Sequence, residues 1–304
     1  MFGLIDLNKP AGFTSHDCIA KLRKILNTRK IGHGGTLDPA ATGVLPIAVG
    51  KATRLLQFLP ESKAYRACIR LGVTTTTDDL EGEIIDRASE INLTPAQITE
   101  SLNTFIGTIE QVPPIYSAIK KNGKKLYELA RKGEEIVVEP RKITIYSLDL
   151  IEIRQSTVWE LTVDIRCSPG TYIRSIARDL GKILGVGGTL ASLVRTESCG
   201  MYLKDSLTFE EIESQVKGQT FKLIEPSSVL QHLGSATLDL DSTKRWCQGQ
   251  LIDFSEAIAQ NSISGSSEGD YITTYDLNGT FLGISILFQR NEIMKIKPKI
   301  VCAG

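Results

Sequence analysis

The sequence predicts an α/β (α+β) protein, with a large mixed sheet flanked by helices and a small β-barrel-like domain at the carboxy terminus. Three observations carry this reading. Strand-like and helix-like segments interleave over residues 1–230, the pattern of one sheet with helices packed on it. Beyond Ser235 the chain turns to short strands and turns, with a Ser/Gly-rich stretch from Ser262 to Gly269. A chain of 304 residues also exceeds what one core organises, so two domains are expected, 1–230 and 231–304.

The elements follow in order. Ser15 is placed to cap a helix carrying Ile19, Leu22, Ile25 and Leu26 on one face, with Asp17 in the first turn where the helix dipole favours an anion. Lys30 to Gly43 loses periodicity and reads as a loop, Val44 to Val49 as a buried strand, and Lys51 to Leu59 as a short helix stopped by Pro60. Tyr65, Ala67, Ile69 and Leu71 alternate with Arg66, Cys68 and Arg70, which predicts a half-buried strand with Tyr65 facing inward. Thr94, Pro95 and Gln97 form a capping-box start for a helix ending near Gly107. Gln111 to Arg141 is proline-opened and basic, with a short helix near Lys124 to Arg131, and reads as a protruding arm. Ile143 to Ile153 and Trp159 to Cys167 alternate as strands. Ser168, Pro169 and Gly170 then turn the chain into a helix carrying Ile173, Ile176, Ala177, Leu180, Ile183 and Leu184, which Gly185 ends. Thr208 with Glu211 opens a further capped helix.

Composition narrows the function classes. No apolar run approaches the roughly 20 residues of a membrane span, and the first ten residues, MFGLIDLNKP, do not resemble an export signal, so a cytoplasmic protein is expected. Cys18, Cys68, Cys167, Cys199, Cys247 and Cys302 lie at least 32 residues apart, and there are three histidines, so reduced thiols and no metal site are expected. The net charge is zero, but residues 1–60 hold eight lysines and arginines against three aspartates, and residues 111–145 hold eight against four glutamates. Local basic surface of this kind suits a nucleic acid even when the total cancels; an ordinary solvated face is the alternative.

Nucleotide cofactors find no support. GVLPIAVGKAT has Ala where a phosphate-binding P-loop needs Ser or Thr after GK, and Gly32/Gly34 and Gly185/Gly187 each lack the third glycine of a dinucleotide fingerprint. What remains is GHGGTLDPAATGVLP, where Asp38 stands in a glycine-rich loop just before Pro39. Proline biases Asp38 toward an extended backbone and the glycines allow close approach of a ligand, so the carboxylate is presented outward; an Asx-turn is the plainer alternative.

His33 to Pro46, HGGTLDPAATGVLP, closely resembles the catalytic signature of the bacterial tRNA pseudouridine-55 synthases, the TruB family. KAYRACIRLG, LGVTTTTDDLEG, QVPPIYSAIKKNGKKLYELARKG, CSPGTYIRSIARDLG and LASLVRTESCG are similar to further motifs of that family in the same order, over residues 2–230. The tail resembles, more faintly, a PUA-type RNA-binding domain. The resemblance implies a pseudouridine-synthase catalytic domain whose Asp38 is the nucleophile and whose Arg174 is the cation beside it. It implies Tyr65 lying on the target base as a proton acceptor, Tyr172 as a pocket wall, Leu193 beneath the uracil, and His33 filling the stack vacated by a flipped base. Thr76 and Val194 depart from the common pattern, at positions that bear on peripheral RNA contacts.

The chemistry suits that assignment. Moving the ribose C1′ bond from uracil N1 to C5 consumes no water and changes no redox state, so no cofactor is expected, and a carboxylate can attack or stabilise the charge left by glycosidic cleavage. The expected partner is tRNA through its TΨC stem-loop, clamped by the arm of residues 111–141 with Lys120, Lys121 and Lys124 on phosphates, by a monomer, without guide RNA or membrane. Three rivals are a guide-dependent relative lacking this arm, a noncatalytic RNA chaperone, and a glycoside hydrolase. The last would want a second acid about 5 Å away, and the Asp38 loop offers none.

Overall fold

The computed structural model describes residues 1–117, 120–121, 124–126, 138–156, 158–260 and 267–302. The strands of its first part are β1 (Gly3–Lys9), β2 (Ile31–His33), β3 (Thr42–Val49), β4 (Lys63–Leu71), β5 (Val73–Thr75), β6 (Ile84–Arg87), β7 (Gly107–Gln111), β8 (Lys120–Lys121), β9 (Lys124–Lys125), β10 (Arg141–Gln155), β11 (Trp159–Cys167), β12 (Gly188–Ser198) and β13 (Met201–Tyr202). The helices are α1 (Ser15–Ile25), α2 (Pro95–Asn103), α3 (Ile173–Ile183) and α4 (Phe209–Lys217). A mixed sheet runs β1-β3-β12-β4-β11-β10-β7, with β2 added beside β3 and β13 beside β12. All its pairings are antiparallel except β3 with β12. As the alternation predicts, Tyr65, Ala67, Ile69 and Leu71 of β4 are buried and pack with Ile173, Ile176, Ala177 and Leu180 of α3 in one core cluster.

Several elements differ from the sequence expectation. The cap of α1 is Thr14, whose hydroxyl accepts from Asp17 N while Asp17 reaches back to Thr14 N. The capping box satisfies two orphan amides at once, which a lone Ser15 would not; Ser15 is buried and bonds elsewhere. The loop expected from Lys30 to Gly43 contains a three-residue strand, because Ile31, Gly32 and His33 pair with Val49, Ala48 and Ile47. In place of a helix at Lys51–Leu59 there are two 3₁₀ turns, Gly50–Arg54 and Leu56–Phe58, neither with a side-chain cap, unlike the capped helix at Thr94. In the arm, Lys120–Lys121 pairs with Lys124–Lys125 as a two-stranded ribbon and Leu126 is helical; the rest of the helix expected near Lys124 to Arg131 lies outside the described residues.

The second part comprises a short helix α5 (Pro226–Val229), β14 (Gly234–Leu238), helix α6 (Leu240–Cys247), β15 (Ile252–Asp253), β16 (Ala257–Gln260), β17 (Tyr271–Asp276), β18 (Phe281–Arg290) and β19 (Ile293–Val301). Its strands form a six-stranded sheet, β15-β19-β18-β17-β14-β16, around a core in which Trp246 donates to Ser285 Oγ at 2.9 Å. A further buried cluster joins the two parts: Leu4, Val44, Ala48, Leu55 and Phe58 from the first meet Leu230, Ile284, Ile300 and Cys302 from the second. Cutting the chain near residue 230 would therefore expose apolar surface on the sheet that carries the Asp38 loop, at about 25 cal/mol per Å² uncovered.

Candidate active site

The loop between β2 and β3 is tied down on both sides of Asp38. Gly34 N donates to Pro46 O at 2.8 Å. Ser15 Oγ accepts from Leu37 N at 2.9 Å and donates to Leu37 O at 3.3 Å, which explains why this hydroxyl is buried. Pro39 O accepts from Gly12 N at 2.9 Å and from Lys9 Nζ at 3.1 Å. Lys9 is fully buried, and burial lowers its pKa while Cys18 and Asp38 oppose the shift. Leu37 and Ala41 are buried in the same cluster as Tyr65. With its neighbours fixed, Asp38 is left to present its side chain.

That side chain meets α3. Asp38 Oδ2 lies 3.0 Å from Arg174 Nη2; the carboxylate side chain is 45% exposed and the arginine 8%. The difference matters, because a ligand can reach the carboxylate while the guanidinium is held from behind. Arg174 also contacts Asp79 Oδ2 at 3.3 Å and donates to Thr77 O at 3.3 Å and Tyr116 O at 3.1 Å. One planar fork thus satisfies two carboxylates and two carbonyls, which a lysine ammonium could not match in geometry. Arg178, one turn on, takes Asp78 at 2.9 Å and Asp179 at 2.9 Å, so each arginine of the pair has its own anions. The start of α3 is anchored by Gln111, which accepts from Tyr172 N at 2.8 Å and donates to Tyr172 O at 3.1 Å.

Gly43, Arg195 and Tyr65 stand side by side across three strands, because Arg195 of β12 pairs with Gly43 of β3 on one side and with Tyr65 of β4 on the other. Gly43 has φ +97, and a Cβ there would lie 2.3 Å from Arg195 O, so only glycine fits where the loop rejoins the sheet. The Arg195 side chain is fully buried and donates to Val44 O at 2.7 Å, Thr36 O at 3.3 Å and Gly35 O at 3.2 Å. It clamps the Asp38 loop from beneath without an ion pair among the described residues. Burial pushes the Tyr65 hydroxyl up in pKa; Arg195 works against that shift and Asp38 with it. Tyr172 is half-buried and is also pushed up, mainly by burial. Leu193, two residues before Arg195 on the same strand face, packs against the cluster holding Tyr65 and Leu37.

The structure therefore gathers Asp38, Arg174, Tyr65, Tyr172 and Leu193 around one cluster, with His33 five residues before the carboxylate. Lys120, Lys121 and Lys124 are placed only by the backbone of the β8/β9 ribbon. Sequence reasoning missed Asp79 and Arg195. Asp79 had a signal in the paired acids of TTTTDDLEG; Arg195 could have been suspected from an arginine sharing a strand face with Leu193.

The large mixed sheet with its curled carboxy-terminal sheet has the Cbf5/TruB-type pseudouridine synthases as its structural neighbours. Among solved structures, a chain of an H/ACA ribonucleoprotein bound to a substrate RNA containing 2′-deoxyuridine superposes with TM-score 0.76 at 24% identity, over 100% of this chain and 86% of that one. A chain of a Cbf5-Nop10-Gar1 complex gives 0.72 at 26% identity, over 96% and 80%. The chain belongs to the TruB family of pseudouridylate synthases. The family's N-terminal domain matches residues 23–173. The tRNA pseudouridine synthase B of Gloeothece citriformis is 53% identical over 99% of this chain and 97% of its own length, and that of Trichormus variabilis 56% over 83% and 86%.

Proposed function

We propose that this chain isomerises uridine 55 in the TΨC arm of tRNA to pseudouridine, with Asp38 as nucleophile. The observation that carries the proposal is the accessible Asp38 carboxylate held 3.0 Å from the buried Arg174 guanidinium. An opposite charge at this distance holds the carboxylate in place and offsets part of the cost of covering it with a base. The C1′–N1 bond breaks with its electron pair leaving on the uracil while Asp38 meets the C1′ centre; C5 of the turned base then bonds C1′ and releases the carboxylate, and the proton lost from C5 is balanced by one gained at N1. Tyr65 lies on the base and takes the C5 proton, with Arg195 easing ionisation of a phenol that burial otherwise keeps neutral. Tyr172 and Leu193 wall the pocket, and His33 fills the stack after the target nucleotide flips out. Lys120, Lys121 and Lys124 contact phosphates of the stem, and the carboxy-terminal sheet, read as a PUA-like domain of residues 231–304, adds affinity for the rest of the tRNA.

Identity of 53% to a tRNA pseudouridine synthase B, against 26% to the Cbf5 complex chain, favours an enzyme that needs no guide. Incubating the purified chain with a short TΨC hairpin in EDTA, and mapping pseudouridine in the product, tests this. Conversion of the single target uridine is expected; a hairpin that stays inert until a second RNA or a metal is added contradicts the reading.

A further inference from the structure

A groove of about 510 Å³ opens beside the catalytic loop, between α1, the connection to β2, and the first 3₁₀ turn. His16 and Arg23 line it from α1, Arg29 and Lys30 from the connection, His33 from β2 and Thr53 from the turn; no aspartate or glutamate lines it. Some cations elsewhere in the first part of the chain are neutralised. Lys21 sits beside Glu210 and Glu213, Arg66 binds Asp164, and Arg70 binds Glu160. Arg23, Arg29 and Lys30 are exposed and form no ion pair with a described residue.

Three cations around one groove repel one another, and the fold tolerates this arrangement most easily when an anion completes it. A second observation points the same way. His33 Nδ1 is buried without a partner at full hydrogen-bond geometry, the Gly35 backbone being the group that approaches the ring, and the two imidazoles of His16 and His33 meet edge to face at 6.0 Å. A ring nitrogen without a well-formed hydrogen bond is stabilised by a ligand oxygen that supplies one. The groove is also mechanically joined to the active site. His33 begins the loop that ends in Asp38, and Arg195 grips that loop between them at Gly35 and Thr36.

We infer that this groove binds a backbone phosphodiester of the substrate RNA, adjacent to the nucleotide that enters over Asp38. The inference rests on RNA being the substrate and adds a second contact line, on the opposite end of the catalytic loop from α3. Arg23 and Arg29 supply the charge and His33 a hydrogen bond, so the strand is fixed on one side of the target before the base leaves the stack.

The test compares full-length Arg23→Gln/Arg29→Gln with wild type and with Lys217→Gln/Lys222→Gln, two exposed cations outside the groove. Binding of the TΨC hairpin is measured against salt, and phosphate-ethylation interference is mapped along the hairpin. The groove variant is expected to bind roughly tenfold more weakly, to lower the slope of log K against log salt by roughly 1.5, and to lose interference at one or two phosphates next to the target uridine. An interference pattern identical to wild type overturns the inference, as does an equal loss in the control variant, which would mark a general charge effect. Isomerisation of the hairpin by a groove variant with unaltered binding would sink the groove alone; a wild-type chain that does not bind the hairpin would sink the groove and the proposed function together.

Discussion

Arg174 Nη2 stands 3.0 Å from Asp38 Oδ2 while Nη1 of the same guanidinium stands 3.3 Å from Asp79 Oδ2. The two acids come from different loops and differ in access, Asp79 being 16% exposed against 45% for Asp38. Asp79 is further engaged by Thr77 Oγ1 and by Glu81 N at 3.1 Å, so its oxygens are occupied and Asp38 is the acid left to meet substrate. Arg174→Lys keeps the charge but cannot span both acids and the carbonyls of Thr77 and Tyr116. Single-turnover rates should fall by roughly 100-fold or more, with hairpin affinity changed much less; a rate within threefold of wild type would contradict the bridging role.

Arg195 bears on the loop rather than on the substrate. Arg195→Lys should lower the single-turnover rate roughly tenfold to 100-fold through loop misplacement. Arg195→Met should in addition lower the melting temperature, since the buried Val44 carbonyl loses its donor at about 1–3 kcal/mol, while those of Thr36 and Gly35 can turn to water. Rescue of rate by lysine to the wild-type value would show that charge alone, and not the fork reaching Gly35, Thr36 and Val44, is what the site requires.

Tyr65→Phe and Tyr65→Leu separate ring from hydroxyl. Phe should bind RNA normally yet stall after glycosidic cleavage, and Leu should bind less well, by roughly 1–3 kcal/mol of lost stacking. Quench-flow analysis of the Phe variant reads this directly; full turnover would remove the proton-acceptor role.

Asp6 gives a stability signature independent of RNA. It is buried on β1, and burial raises its carboxyl pKa to about 7, with Asp205 adding to the shift and Tyr202 N–H and Arg195 opposing it. The folded state therefore holds a proton that the unfolded state has released, and stability falls as pH rises from roughly 4 to 7, by on the order of 3–4 kcal/mol in all. Asp6→Asn removes this loss, so its melting temperature should exceed wild type by several degrees at pH 8 and match it near pH 4. An equal difference at both pH values would mean the carboxyl does not titrate in that window.

Much of this was legible in the sequence where local rules act alone. Thr94 with Gln97, Thr208 with Glu211 and the alternation of β4 each specify an element from neighbouring residues. The pairing of Arg174 with Asp38 came from the family motifs rather than from spacing, since no local rule brings residues 136 positions apart into contact. Other features answer to tertiary contacts. Ser15 looked like a cap, but its hydroxyl is taken by Leu37, and Thr14 makes the cap. Helix α6 was missed because its apolar positions are few; Asp239 caps it by accepting from Ser242 N at 2.7 Å, and Trp246 anchors it. Arg195 carried only the signal of an arginine on the strand face of Leu193, because a buried arginine bonded to carbonyls leaves no charge partner in the sequence.

The most direct test of the account is Asp38→Asn in a single-turnover assay on the TΨC hairpin, with binding measured on the same preparation. Asparagine keeps the size and polarity of the side chain and can still meet Arg174, but it is a poor nucleophile. Hairpin affinity within a few-fold of wild type together with no detectable pseudouridine is the predicted result. Turnover above a few percent of the wild-type rate would contradict the assignment of Asp38 and with it the chemistry built around this loop.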